Sequence, residues 1–412
     1  MTTSAPILGR AAVFGNARYR LLFLATLGSG VGTYAATIGL TADIAARTHS
    51  TWWVSLLFIV TFSPSIVVGL VIGPLIDRLS RKLLIVTSDL VRLGVFAVLP
   101  FADHPGTMII LAAVAGIANS FFRPAVLAGV PNLVDERELD TATTLLTATE
   151  WIAAAIGPVI AGALVSLSGA HIVYWMNAAT FLFSAVLIAR IPGRLLQSAQ
   201  GITRGHWRDL HDGFATFRSS IALRVALYGF GLTMLATGLV NVSEIFLAKR
   251  SLGSGAFGFG LLWTGSGIGL VAGSVVTGIL LRRRDVLDLY VYAFVPLTAG
   301  IIGAATAPNI WIAATAMVLT GFGNGLAFPM TILIVQRYTS DRLRGRAFTV
   351  IISIHSALLG LAMVASGALT ELVGPRWTYA AAACCTAGSA IVVIALRRGF
   401  SARPALTHRA AA

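Results

Sequence analysis

Twelve apolar stretches, each long enough or nearly long enough to cross a bilayer, account for most of this chain of 412 residues. A bilayer core takes about 20 apolar residues per helix. Inside it every backbone N–H and C=O must find its partner within the chain, which leaves helices as the economical solution. The spans read as 19–46, 52–76, 83–101, 107–130, 141–167 and 171–190, then 221–248, 257–281, 286–306, 309–335, 347–370 and 375–396. The second six repeat the first. Gly116-Ile117-Ala118-Asn119, with Pro124 after it, returns about 205 residues later as Gly321-Phe322-Gly323-Asn324 with Pro329. A duplicated six-helix unit points to a secondary transporter whose substrate path lies between the repeats.

The fold class expected is therefore an all-α membrane protein of twelve transmembrane helices in two pseudo-symmetric six-helix bundles. The first bundle is 1–191 and a cytoplasmic linker is 192–220. The second bundle is 221–398 and a cytoplasmic tail, expected to be disordered, is 399–412. Composition agrees: 57% of residues are hydrophobic and only 11% charged, with mean hydropathy +0.85. A soluble chain could not cover that much apolar surface. The first apolar stretch is too long for the core of a cleavable signal peptide. Cys384 and Cys385 are adjacent and so suit neither a disulfide framework nor a metal site; they read as small packing residues, and no metal is expected.

Basic residues set the orientation. With the N-terminus in the cytoplasm, all 30 fall on cytoplasmic segments except Arg47, Lys249, Arg250 and Arg376 outside and Arg92 and Arg123 within the membrane. That places both termini inside a cell inner membrane. It also explains the net charge of +14 through anionic inner-leaflet lipid rather than nucleic acid. In the linker, Trp207, Leu210, Phe214 and Phe217 fall on one helical face, which predicts an amphipathic helix on the membrane surface. His206 and His211 there read as solvated side chains.

Between spans 2 and 3 the chain reads Gly73-Pro74-Leu75-Ile76-Asp77-Arg78-Leu79-Ser80-Arg81-Lys82, with Asp89 and Arg92 following. This resembles the signature G-x-L-x-D-R-x-G-R-[KR] of the major facilitator superfamily, at the same point of the topology, with Ser80 in place of the usual glycine. The resemblance covers essentially the whole chain. It implies that Asp77, Arg78, Arg81, Asp89 and Arg92 form a latch on the cytoplasmic face. The plain alternative for Arg78, Arg81 and Lys82 is that they only follow the positive-inside rule. Span 5 carries Ala153, Gly157, Pro158, Ala161 and Gly162, which resembles the exporters' motif G-x-x-x-G-P-x-x-G-G with two glycines replaced by alanine. Pro131-Asn132-Leu133-Val134-Asp135-Glu136 together with Thr141-Ala142 resembles the branch of enterobactin exporters and macrolide efflux pumps.

Ionisable groups inside a membrane are costly and mark function. Arg123 lies about 12 Å deep on span 4 and Glu150 about 15 Å deep on span 5, counting 1.5 Å per residue, so the two can pair. Asn119 sits one turn from Arg123. Adding the repeat offset to Glu150 gives His355 in span 11. Glu150, Arg123 and His355 are thus the proton-coupling candidates. A structural Arg–Glu pair and a hydrogen-bonded packing histidine are the alternatives. Thr33, Tyr34 and Thr37 on span 1, Thr147 on span 5, and Thr237, Asn241 and Glu244 on span 7 form polar stripes. The resemblance places spans 1, 4, 7 and 10 around the cavity, so these residues with Asn119 and Asn324 read as substrate path; threonine as interhelical packing is the alternative. Asp43, Glu244 and Glu371 lie near outer ends, where an exposed acid is the plain reading, for Glu371 above all.

No phosphate-binding loop, nucleophile elbow or haem motif is present, so no cofactor is expected and energy should come from an ion gradient. The function expected is a proton antiporter that exports amphipathic small molecules, drug-like or siderophore-like, by alternating access, acting as a monomer. An uptake carrier of the same fold and a non-transporting membrane sensor are the alternatives.

Overall fold

Every apolar stretch is helical wherever the computed structural model describes it, and no strand occurs among the described residues, 13–67, 80–196, 220–281, 285–339 and 341–401. Twelve long helices follow in order: α1 Ala17–Thr48, α2 Thr51–Val67, α3 Arg81–Val98, α4 Pro105–Gly129, α5 Leu139–Ser168, α6 Ala170–Ala189, α7 Ile221–Phe246, α8 Gly255–Leu280, α9 Val286–Thr306, α10 Ile310–Tyr338, α11 Asp341–Val373 and α12 Pro375–Ser401. Eleven hold an apolar window long enough to cross a membrane. In α2 the described apolar run, Thr51–Pro64, is shorter.

The helix ends follow from local chemistry. Asn16 opens α1 by accepting from the N–H groups of Arg18 and Tyr19, while its amide donates to the Leu133 carbonyl at 2.5 Å. Asp285 and Asn309 cap α9 and α10 through Leu287 and Ile312. Ser80 caps α3, its hydroxyl accepting from Leu83 N–H at 3.4 Å. Serine and glycine are both good residues at this position, so the substitution in the signature suits the helix start. Ser80→Ala is expected to lower stability by about 1 kcal/mol and Ser80→Gly by only a few tenths, read from thermal unfolding in detergent.

The duplication also shows in the turns. α5 passes to α6 through Gly169 at φ 80°, and α11 passes to α12 through Gly374 at φ 87°. Both are left-handed positions that a side chain would strain, and they stand at the same offset as the two asparagines and prolines.

The chain forms two compact units. One comprises Met1–Arg204 with Glu244–Gly267; the other comprises Gly205–Ser243 with Ile268–Ala412. The first is centred on Tyr19, Leu22, Ile85, Phe122, Val126 and Ile188, and the Tyr19 hydroxyl donates to the Ala142 carbonyl at 2.8 Å. The second is centred on Phe230, Tyr290, Phe294, Met330, Ile334 and Val350, where Tyr290 bonds Thr331 at 3.0 Å. α12 runs through Ser401, so its helix reaches into the stretch expected to be a disordered tail; an ion pair of Arg397 with Asp288 of α9 holds this end. Residues 402–412 lie outside the described residues. So does most of the linker, 197–219, with its expected amphipathic helix.

Candidate functional site

Among the described residues of the first six helices, three Arg–carboxylate pairs occur, and the surroundings of the Arg92–Asp89 and Arg123–Glu150 pairs differ. On α3, Arg92 and Asp89 are one turn apart and meet at 2.7 Å with side chains 2% and 0% exposed. Arg92 Nη1 donates to Asn119 Oδ1 of α4 at 2.9 Å, and its Nε donates to the Ser88 carbonyl at 3.3 Å. The other Asp89 oxygen accepts from Ser184 of α6 at 2.7 Å. The rings of Phe122 and Phe181 cover the guanidinium at 4.5 and 4.3 Å. The Asn119 bond ties α3 to α4 and the Ser184 bond ties α3 to α6, while the Asp89 and Ser88 contacts of Arg92 stay within α3.

The described basic residues of the signature, Arg81 and Lys82, close helix ends. Arg81 donates to the carbonyls of Ala128 at 2.7 Å and Leu196 at 3.2 Å, and Lys82 donates to Ala189 at 2.7 Å. Ala128 and Ala189 are at the C-terminal ends of α4 and α6, where unpaired carbonyls and the helix dipole favour a cation. Asp77 and Arg78 lie outside the described residues.

The second pair is open. Arg123 Nη1 of α4 meets Glu150 Oε2 of α5 at 2.8 Å, with side chains 60% and 26% exposed. Both line a cavity of about 40 Å³ with Thr26, Phe122, Leu146 and Thr147. Depth counted along the two helices thus put the right residues together. Asn119 turns to Arg92 instead of accompanying Arg123.

A second cavity, about 60 Å³, is lined by Thr33, Thr37, Thr41, Asn119, Asn177 and Arg92, with Phe58, Phe62 and Phe96 on its apolar side. The Thr33 and Thr37 hydroxyls donate to carbonyls one turn back, at 2.7 and 3.0 Å. They therefore offer the cavity acceptor oxygens. Thr147, in the smaller cavity, and Thr237 on α7 also donate to carbonyls one turn back, at 3.0 and 2.9 Å. Thr41 Oγ1 and Asn177 Nδ2 are buried with no partner.

Of the remaining candidates, Asn241 is half-buried on α7, and Asn324 Oδ1 of α10 is buried without a partner. His355 of α11 is buried, its Nε2 bonding the Leu227 carbonyl at 3.1 Å beside the Phe230 ring; this is packing geometry. Glu244 overturns the exposed-acid reading, being only 2% exposed, because α7 continues past it to Phe246 and then a wide turn, Leu247–Ser251. Asp43 is also engaged, by Arg47 at 2.7 Å and by the Tyr174 hydroxyl at 2.8 Å. Glu371 is exposed.

The span 5 motif is a contact surface. A Cβ on Gly157 would lie 2.8 Å from the Val31 carbonyl oxygen and 2.9 Å from Tyr34 Cβ of α1. Where the motif has Ala153 instead of glycine, α1 presents Gly30, which compensates. Within the same compact unit, Gly162 meets the backbone of Ala256 and Phe257, Gly260 meets Pro158, and Gly267 meets Ala154 and Ala155. Because Gly157 faces backbone, Gly157→Ala forces α5 off α1 and is expected to cost about 1–3 kcal/mol. The check is its thermal unfolding against Gly94→Ala, which adds a Cβ into open space.

Sequence reasoning missed Ser184 and Asn177 on α6 and Trp263 on α8. No local pattern marks them; the partner helix alone gives them meaning.

A sequence profile described as transmembrane secretion effector matches residues 9–406. The enterobactin exporter EntS of Citrobacter koseri is 26% identical over 340 residues, covering 80% of this chain and 79% of that protein. Macrolide efflux protein A of Streptococcus pyogenes is 20% identical over 337 residues, covering 80% and 83%. Among solved structures, a bacterial homologue of the human lysosomal transporter Spinster, inward-facing and unoccupied, aligns with TM-score 0.72 at 13% identity. That alignment covers 94% of this chain and 99% of the other, and shows a shared fold.

Proposed function

Because this chain belongs to the transmembrane secretion effector family of the major facilitator superfamily, we propose that it exports an amphipathic small molecule in exchange for protons. It is a multi-pass transporter and not an enzyme. The observation that carries the proton part is the Arg123–Glu150 pair, a carboxylate and its counter-ion meeting at mid-span on α4 and α5 in a cavity that admits solvent. In this reading Glu150 accepts a proton when Arg123 turns away and loses it when the pair reforms. Export is supported by the names of the relatives, which move enterobactin and macrolides. The mixed lining of the larger cavity, threonine and asparagine facing phenylalanine, suits a substrate with both characters. The distribution of basic residues supports a topology with both termini on the cytoplasmic side of the inner membrane. Asp77 and Arg78 with the α3 charges are the proposed cytoplasmic latch, and Thr237, Asn241 and Asn324 the proposed path in the second unit.

The test uses inside-out vesicles with an acid interior read by a pH-sensitive dye, challenged with macrolides and siderophores. Substrate-evoked proton efflux that is absent from empty vesicles is the expected result. Substrate movement unaffected by collapsing the gradient would reject proton exchange. His355→Gln is expected to leave the efflux within about twofold, a difference under 1 kcal/mol, because its ring is held by a backbone carbonyl.

A further inference from the structure

Glu244 is used by neither pair, and its surroundings are unusual for an acid. It is 2% exposed. The Trp263 indole N–H of α8 approaches it but falls short of a well-formed hydrogen bond, which leaves Glu244 Oε1 and Trp263 Nε1 buried without a geometric partner. The walls nearby are aromatic: Phe58 stacks on Trp263 with centroids 6.5 Å apart, and Phe259 meets the indole edge-on at 6.2 Å. Among the described residues no cation pairs with the carboxyl. Arg250, at the end of the following turn, covers the Phe246 ring at 4.6 Å and donates to the His49 carbonyl at 3.0 Å. Among the described residues no other titratable group acts on Glu244. A bare carboxylate without counter-ion, water or full hydrogen bonding is among the most costly groups a membrane interior can hold. The carboxylic acid is not: it removes the charge and gains an O–H donor.

The position adds a second argument. α7 contributes residues up to Ser243 to one compact unit, and from Glu244 onward the chain belongs to the other. Trp263, Phe259 and Phe58, the aromatic groups on this side of the acid, belong to that same unit.

We infer that Glu244 is a second proton-binding site: its carboxyl carries the O–H bond while Glu244–Gly267 is packed in its unit, and releases the proton to water when that packing opens. The proton comes from water on closing and returns to it on opening, so no other reactant is needed. The inference stands beside the exchange reading and does not require it, since occupancy by the proton is measurable without transport.

The experiment is infrared spectroscopy of the purified full chain near neutral pH, taken as wild type minus Glu244→Gln. Glutamine is close in shape to the neutral acid, so the variant is expected to fold. The expected difference is one protonated-carboxyl C=O band, sensitive to D2O, lost from the variant. The same band should persist in Glu150→Gln and should shift in frequency in Trp263→Phe, which removes the facing N–H. A difference spectrum with carboxylate stretches in place of the acid band would overturn the inference. So would an acid band that Glu150→Gln removes and Glu244→Gln does not.

Discussion

Asp89→Ala is expected to destabilise the protein by about 3–5 kcal/mol, because it leaves the Arg92 charge buried without its partner. Arg92 has 2% of its side chain exposed and cannot turn to water. Its remaining contacts are Asn119, the Ser88 carbonyl and two aromatic faces, and none is an anion. Asp89→Ala also strips Ser184 of its acceptor. The double variant Asp89→Ala with Arg92→Met should recover most of the loss. Replacing both members of a buried pair by apolar groups of similar volume is commonly near neutral, and in a bilayer that balance favours the apolar pair further. Thermal unfolding in detergent of wild type, both single variants and the double variant closes the cycle. A double variant as damaged as Asp89→Ala would show that Asp89 acts through Ser184 alone. Asp89→Ala within about 1 kcal/mol of wild type would mean that Arg92 finds another anion, and would refute Asp89 as its required counter-ion.

How far the sequence carried the reading depends on whether a feature is local. Helix number, order and repeat were legible because a bilayer fixes span length, and because apolar composition needs no partner to be recognised. Gly169 and Gly374 could have been read the same way, as glycines at the common offset between two apolar runs. The Arg123–Glu150 contact was legible because depth along two neighbouring helices is a count of residues. Arg92 was not: its network draws Ser184 from 95 residues beyond Asp89, and Asn119 serves it although the spacing suggested Arg123. For Glu244 the sequence offered a place on the substrate path and an exposed outer-end acid, and its burial excludes only the second, because counting from a helix end gives depth along the membrane normal and says nothing about what packs sideways. Trp263 approaches the acid from α8 and is itself stacked by Phe58. The basic residues of the signature obey the charge rule, but Arg81 and Lys82 also close two helix ends, which only the fold of α4 and α6 reveals.

Glu150→Gln should do the opposite of Asp89→Ala: leave the fold nearly intact and remove the coupling. With Arg123 60% and Glu150 26% exposed, the pair is screened by solvent, and open pairs of this kind contribute about 0–1 kcal/mol. Unfolding should therefore shift little. Substrate-evoked proton efflux should fall at least about tenfold, equivalent to roughly 1.4 kcal/mol on the coupled step, since an amide cannot cycle through a charged form. The exchange variant Arg123→Glu with Glu150→Arg separates the two readings of this pair. A purely structural pair works with its charges swapped, because the Nη–Oε contact reforms with the same two partners. A coupling pair does not, because the acid now stands on α4 and the residue on α5 beside Thr147 is an arginine that never releases its proton. Normal unfolding with lost efflux in the swap places the proton on Glu150. Efflux restored to wild-type level in the swap returns the pair to the scaffold and leaves Glu244 as the acid to pursue.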